Sequence, residues 1–572
     1  MVRHRSKRVK RGMDGPTHDG ATTDVGSSGV DVARELTAEA ASVAMTAAQA
    51  GASGLVAKLG ELWDCPPSWL ECRWKTIGAL SLVALVVYSN SLFGELVYDD
   101  ASCLGHGAVT GKASLLSLFA TDFWGKDLAH VESHRSWRPL TTFVFRQLFS
   151  FADGTTAVFH AASILVYMAV VALVYTLFEK LLADKRVSFL AALLFCVHPV
   201  HVEVVANITN LAECLSGLFF LLSVVLYAGV LSSASTNIRS MRVWAPIVLG
   251  AMAMFAKETG ITSLGVLLVM DVVAHLSFLR AAFTAYVLGD VAPEPAAPAK
   301  LADNASAEEV EAHTAACLAW KAGAKQRGWV AYKARMLRYF CHRAGAILSV
   351  IVAALLLRMV FLRGSPPSFP RHMNHVASEP SLWVRLLTFL YLPVAHVWML
   401  VFPQTLCHDW SFDSVPLVRS PFDVRFLATV LMYYCLARLV VHAASALWSA
   451  AASHRGRFLF AGRMLSKLSA SQSDAAVLVL GLALTIIPYI PASNMFFYVG
   501  FVLADRVLFL PSIGFCLVLG VAIKRAMRGK GKHDEVARRN RGFLLLAMLV
   551  ASLLYVSGLS MVAGWLHTFG VA

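Results

Sequence analysis

Two adjacent carboxylates, Asp99 and Asp100, follow the first long apolar run of the chain. A carboxylate pair at a membrane-interface helix end can serve as a general base or bind a divalent cation. A bare Asp-Asp can equally be the solvated start of a loop. The loop that follows carries Asp122-Phe123-Trp124-Gly125 and Ser133-His134-Arg135-Ser136-Trp137-Arg138-Pro139-Leu140-Thr141. Charges mixed with aromatics suit sugar and phosphate: Arg138 offers a forked donor set to phosphate, and Trp137 a flat face to a sugar.

Further constellations lie downstream. His198-Pro199-Val200-His201-Val202-Glu203 is followed by Asn207, Asn210 and Glu213. Pro199 disfavours helix at His198 and marks a turn at the membrane boundary. The order differs from the HExxH of zinc hydrolases, so His198, His201, Glu203 and Glu213 are read as polar anchors of a buried site, since polar groups between apolar spans are costly. Lys257-Glu258 ends another apolar run; it is either a salt-bridged helix cap or a cation placed for phosphate. Asp505-Arg506, preceded by Ile490-Pro491-Ala492-Ser493-Asn494, stands at headgroup depth, where an arginine can snorkel or clamp a lipid phosphate. Cys407-His408-Asp409-Trp410-Ser411-Phe412-Asp413 is a fifth, weaker constellation.

The elements that must position these groups are membrane helices. Of 572 residues, 57% are hydrophobic and 15% charged, more apolar surface than a soluble chain can bury. Runs long enough to cross about 30 Å of hydrocarbon are drawn at 75–96, 157–182, 187–204, 212–231, 243–256, 260–279, 344–362, 385–402, 424–448, 475–492, 506–523 and 543–566. The net charge of +14 comes from Lys and Arg grouped between spans, which the positive-inside bias explains without nucleic acid. By that bias the tail, Lys185/Arg186, Arg239/Arg242, 280–343, Arg455–Lys467 and Lys524–Arg541 are cytoplasmic, and the loops carrying the polar constellations share the opposite side. Strict alternation through twelve segments breaks this pattern. If 385–402, with Pro393 at its middle, dips in and returns on one side, about eleven true crossings remain. The expected layout is a basic, largely disordered tail at 1–72, an N-terminal membrane half at 73–279 with loop 97–156, a flexible insertion with a helical patch at 280–343, and a C-terminal membrane half at 344–572.

Taken together, Val97–Asp100, Ser136–Thr141, His198–Glu203, Ala256–Thr262, Cys407–Ser411 and Ile490–Asn494 running on to Asp505–Ser512 resemble the transmembrane and tetratricopeptide-repeat-containing O-mannosyltransferases of the C-type glycosyltransferase superfamily. The stretches keep the family's order over about 75–566. The resemblance implies an all-α polytopic membrane protein, a C-type glycosyltransferase-like bundle with luminal loops in the endoplasmic reticulum. It implies dolichyl phosphate mannose as donor, Ser or Thr of secretory-pathway proteins (cadherins among them in animals) as acceptor, and Asp99 and Asp100 as the catalytic feature. Inverting displacement, with a carboxylate as base and Arg138, Lys257 and Arg506 holding the leaving phosphate, needs no obligatory metal ion. Two departures stand out. Asn210-Leu211-Ala212-Glu213 replaces the Gly-Arg-Ala-Asp frequent in the family, shifting weight onto those three cations. The chain ends at Ala572 without the family's luminal repeats, pointing to a truncated chain or an accessory subunit that recognises the acceptor. Two other classes stay open: a multi-pass transporter, and a catalytically inactive membrane scaffold.

Overall fold

The computed structural model describes residues 68–97, 99–232, 240–288, 306–364, 369–453 and 470–527. The tail at 1–67 and the apolar run at 543–566 lie outside the described residues. The described residues form helices and loops with two isolated bridges, Thr121 to Asp127 and Trp410 to Leu503. The protein is an all-α polytopic membrane protein.

Its long helices, labelled in chain order, are α1 (Arg73–Tyr88), α2 (Thr156–Leu182), α3 (Lys185–Cys196), α4 (Leu211–Ser232), α5 (Met241–Ala256), α6 (Thr262–Leu288), α7 (Ala307–Phe361), α8 (Leu382–Val401), α9 (Val424–Ser453), α10 (Ala470–Tyr489) and α11 (Phe509–Met527). Each span drawn from the apolar runs up to 523 coincides with one of them. The span at 187–204 is broken: α3 stops at Cys196, and the chain turns by 51° into Pro199–Ala206. Pro199 imposes that break, because it has no N–H for the helical ladder.

Ion pairs and side-chain hydrogen bonds sort the helix ends onto two faces. Arg73 meets Glu179 at 3.4 Å, Lys185 meets Glu71 at 2.7 Å, and Asp474 meets Lys524 and Arg525 at 3.7 and 3.4 Å. These contacts join the starts of α1, α3 and α10 to the ends of α2 and α11 on a basic face. The polar constellations gather at the opposite ends. Helix α8 has both of its ends at that polar face. At its C-terminal end the Leu400 carbonyl bonds His198 Nε2 at 3.0 Å; at its start Thr388 Oγ1 accepts from the Val418 amide at 2.9 Å and Arg385 donates to the Ala377 carbonyl at 3.1 Å. Its buried side packs Leu392, Met399 and Leu400 against Val200, Val502 and Leu508. Leu382, Trp383, Leu386, Val397 and Trp398 point outward, the pattern of a helix lying in the interface plane. By length and composition alone this helix also qualifies as a membrane span, and the expected dip within it is not seen. Residues 382–401 are one unbroken helix containing Pro393.

Ten described elements then run between the two faces, counting α3 with its bent extension as one and including the 16-residue α5. Helices α4 and α6 form the centre, while α7 and α9 turn most of their apolar surface outward. The insertion also needs correction. Residues 280–288 prolong α6, and 307–343 form the first part of α7, a single helix of 55 residues about 80 Å long. Its Ala/Glu/Lys-rich sequence favours helix, and Glu308 and Glu311 stand at the positive end of the helix dipole. Residues 289–305 lie outside the described residues.

Candidate active site

A cavity of about 1180 Å³ opens on the polar face. Asp99, Arg138, Glu213, Lys257, Glu258 and Arg506 all line it. Residues far apart in the chain converge here because five connections between helices meet on this face.

The base of the cavity is set by a tight junction between α5 and α6. The chain leaves α5 at Lys257 in extended conformation and re-enters through a 3-10 turn at Glu258–Ile261. A Cβ on Gly260 would lie 2.3 Å from the Ala253 carbonyl oxygen, so only glycine permits this approach. The junction aims Lys257 at Glu213 of α4, with which it forms an ion pair. Glu258 points the other way, accepting from Arg138 Nε at 3.1 Å and Arg358 Nη2 at 3.3 Å. Burial pulls the Lys257 ammonium below its ordinary pKa, and the Glu213 carboxylate opposes that pull.

A second ionic cluster surrounds Glu203 in the bent extension of α3. Glu203 Oε1 accepts from His408 Nδ1 at 2.8 Å, from Arg506 Nη1 at 3.0 Å and from Asn210 Nδ2 at 3.0 Å. Arg506 also reaches the His408 carbonyl at 2.8 Å and Asp409 Oδ1 at 3.3 Å, and stacks 5.4 Å from the Phe501 ring centroid. The Glu203 carboxylate raises the His408 pKa against the opposing effect of burial.

The two acidic residues at the start of the first loop are not equivalent. Asp99 lines the cavity, and burial raises its carboxyl pKa while His408, Arg506 and His134 pull it down. A carboxylate with a raised pKa is a stronger base. Asp100 is fully buried away from the cavity. Its two oxygens accept the Val97 amide at 3.2 Å and the Thr209 amide at 3.1 Å. Burial pushes the Asp100 carboxyl up to about 6, and those two amides restrain it.

Several residues expected at the site serve the scaffold. Trp137 is buried against Phe361, ring centroids 4.5 Å apart, and Phe255; its flat face meets protein because the apolar cluster with Leu128 and Leu362 encloses it. His198 and His201 are fully buried. His201 is held between the Tyr167 hydroxyl and Ser512 Oγ, both at 2.9 Å, and joins α2, the bent extension of α3 and α11. Asp505 is buried behind Arg506 and does not line the cavity. Leu211, where the family often has arginine, also faces the core. Aromatic surface in the cavity comes from Phe123, Trp124, Phe369, Phe412 and Tyr498. Asp122 shapes the first loop, accepting from Ser133 Oγ at 2.7 Å and from the Trp124, Lys126 and His134 amides. Among the described residues no three His, Cys, Asp or Glu side chains converge as a metal site.

Comparison with known proteins bears on the same segments. Residues 363–437 match the family model "Protein O-mannosyl-transferase TMTC, DUF1736". The chain is 30% identical to mouse TMTC1 over 524 residues, covering 84% of this chain and 52% of that protein. It is 30% identical to human TMTC4 over 502 residues, 85% of this chain and 59% of the relative. Mouse TMTC3 is 32% identical over 454 residues, 78% of this chain and 42% of the relative. All three carry the name protein O-mannosyl-transferase. The chain belongs to the TMTC family. It spans about half the length of the curated relatives it matches. The matched TMTC segment begins at the end of α7 and runs through α8 into α9, so it supplies Phe369, His408 and Asp409 to the cavity.

Three cavity cations, Lys126, Arg135 and Arg358, have no role assigned from the sequence, and Lys126 pairs with Glu132 at 3.0 Å. Arg358 had a signal: it is a lone charge in the apolar run 344–362, and isolated charges in a span mark functional positions. Arg135 had none beyond its place in the aromatic-basic stretch.

Proposed function

We propose that this TMTC-family chain is an O-mannosyltransferase of the endoplasmic reticulum, moving mannose from dolichyl phosphate mannose to Ser or Thr of secretory-pathway proteins. The supporting observation is the shared cavity: Asp99, a carboxylate that forms no ion pair among the described residues, lines it together with guanidinium and ammonium groups at the edge of a membrane bundle. In the reaction the acceptor oxygen attacks the anomeric carbon and its proton passes to Asp99. The bond from that carbon to the phosphate oxygen breaks, its electron pair stays on the phosphate, and configuration inverts. The leaving phosphate gains charge as the bond breaks, so cations held in place beforehand stabilise the transition state. On this reading cationic side chains serve without a resident metal, and chelation by EDTA should leave the rate unchanged. The name borne by the relatives points to the same class of transfer.

The test is transfer by the purified protein from labelled dolichyl phosphate mannose to cadherin-domain acceptors, comparing wild type with Asp99→Asn and Asp100→Asn. Absence of transfer by wild type would return the protein to the transporter or scaffold class. The proposed orientation puts the basic face in the cytoplasm together with the N-terminus. The sequon Asn304-Ala305-Ser306 then stays unglycosylated in cells, and a glycan there would reverse the bundle.

A further inference from the structure

The cations of the cavity divide unequally among its carboxylates. Arg506 and His408 face Glu203 and Asp409, and Lys257 faces Glu213. On the other wall Glu258 alone takes both Arg138 and Arg358. Arg135 lines the same cavity and forms no ion pair among the described residues. The Nη1 atoms of Arg135 and Arg358 are both buried without a hydrogen-bond partner among the described residues, while Arg358 Nη2 donates to the Arg135 carbonyl at 3.3 Å. Two guanidinium groups therefore share one carboxylate, and the Arg135 guanidinium adds a third cation to the cavity with no carboxylate partner among the described residues. Buried charge that protein does not neutralise is costly, and an arriving anion removes the cost.

The wall is also pre-shaped. Arg135 has a φ of 55°, a left-handed conformation that a non-glycine residue holds only under constraint. The constraint comes from Asp122, which grips Ser133 and His134 immediately before it. A planar guanidinium matches phosphate oxygens in pairs. On α7, Leu355, Arg358 and Leu362 fall on one helical face, and all three line the cavity. Leu355 is also 44% exposed, on a helix whose apolar span is mostly unburied. Across the cavity stand Ile261 of the α5–α6 junction and Pro488 of α10. Polar wall and apolar exit are one helical turn apart.

We propose that Arg135, Arg358 and Arg138 hold the phosphate of the isoprenyl-phosphate donor, and that its hydrocarbon chain leaves the cavity sideways along Leu355, between α7 and α10. This rests on the lipid-phosphate reading above. It moves the phosphate away from Lys257 and Arg506, which are matched by carboxylates, and leaves the Arg506 wall free to face the acceptor and Asp99.

The experiment measures binding of citronellyl phosphate and of inorganic phosphate to the detergent-purified full chain, by tryptophan fluorescence. Wild type is expected to bind citronellyl phosphate. Arg135→Gln and Arg358→Gln should each weaken it by roughly ten- to a hundredfold, with unchanged melting temperatures. Arg358→Lys, which keeps charge and loses the fork, should recover only part of the affinity and serves as the second variant if Arg358→Gln fails to fold. Wild-type affinity in both glutamine variants would overturn the assignment while leaving the mannosyltransferase reading intact. Inorganic phosphate binding as tightly as citronellyl phosphate would overturn the lateral exit. No citronellyl phosphate binding by wild type would remove the lipid-phosphate reading itself.

Discussion

The cavity and a polar cluster between α4, α6 and α7 are made of the same residue types and differ in what is left over. In the cluster, Arg343 donates to both oxygens of Asp271, at 3.0 Å through Nε and 2.7 Å through Nη2. The Tyr227 hydroxyl donates to Asp271 at 2.7 Å, and His275 stands 2.9 Å from the same carboxylate and 3.2 Å from Arg343. Asp271, His275 and Arg343 are wholly buried, and each polar group meets another from the protein. In the cavity, the Nη1 atoms of Arg135 and Arg358 have no hydrogen-bond partner among the described residues, and Asp99 lines open space. A saturated network holds helices together, here pinning α7 to the bundle; an unsaturated one has capacity for a ligand.

Four measurements would break or sharpen that contrast. The largest effect is expected from Asp99→Asn, which should lower transfer by roughly 10²–10⁴-fold without moving the melting temperature. Asp100→Asn should cost stability first, because the Val97 and Thr209 amides lose an acceptor. Exchanged phenotypes would reverse the two assignments.

Next comes Arg343→Ala, which strands the Asp271 carboxylate and should cost about 3–5 kcal/mol of stability, read by thermal unfolding in detergent. The pair Arg343→Met with Asp271→Leu should regain most of that loss. If Arg358→Gln, on the cavity wall, destabilised as much as Arg343→Ala, the two networks would not differ in kind. His201→Ala should cost about 1–3 kcal/mol through the lost hydrogen bonds to Tyr167 and Ser512, with the rate at saturating donor unaltered in the folded fraction. A rate defect without a stability defect would put His201 back in the site.

The smallest effect concerns pH. The base must be ionised to accept a proton, and the Asp99 pKa is raised by burial. Transfer should therefore fall as pH drops through a midpoint above the ordinary aspartate value of about 4. The residual activity of Asp99→Asn should lack that acidic limb, and an identical profile in the variant would assign the limb to another group.

How much was legible beforehand differs by residue. Lys257, Arg506 and Asp99 were placed at the site because each ends or begins an apolar run, and depth in the membrane is written in the run itself. Trp137, His198, His201 and Asp505 sit at the same depth, yet they face packed protein. Sequence position carries no information about which way a loop side chain turns. Asp100 shows this most sharply, lying one residue from Asp99 and on the other side of the loop backbone.

The chain's apolar runs and basic loops by themselves determined a helical membrane protein with its polar constellations on one side, because hydrocarbon thickness and charge asymmetry act on local sequence. Only tertiary structure decided that α8 has both ends at the polar face, that Arg343 is saturated by Asp271, and that Arg138 and Arg358 share Glu258. Those outcomes depend on contacts between segments one hundred or more residues apart in several cases, and no local pattern encodes which charges will be left without a protein partner.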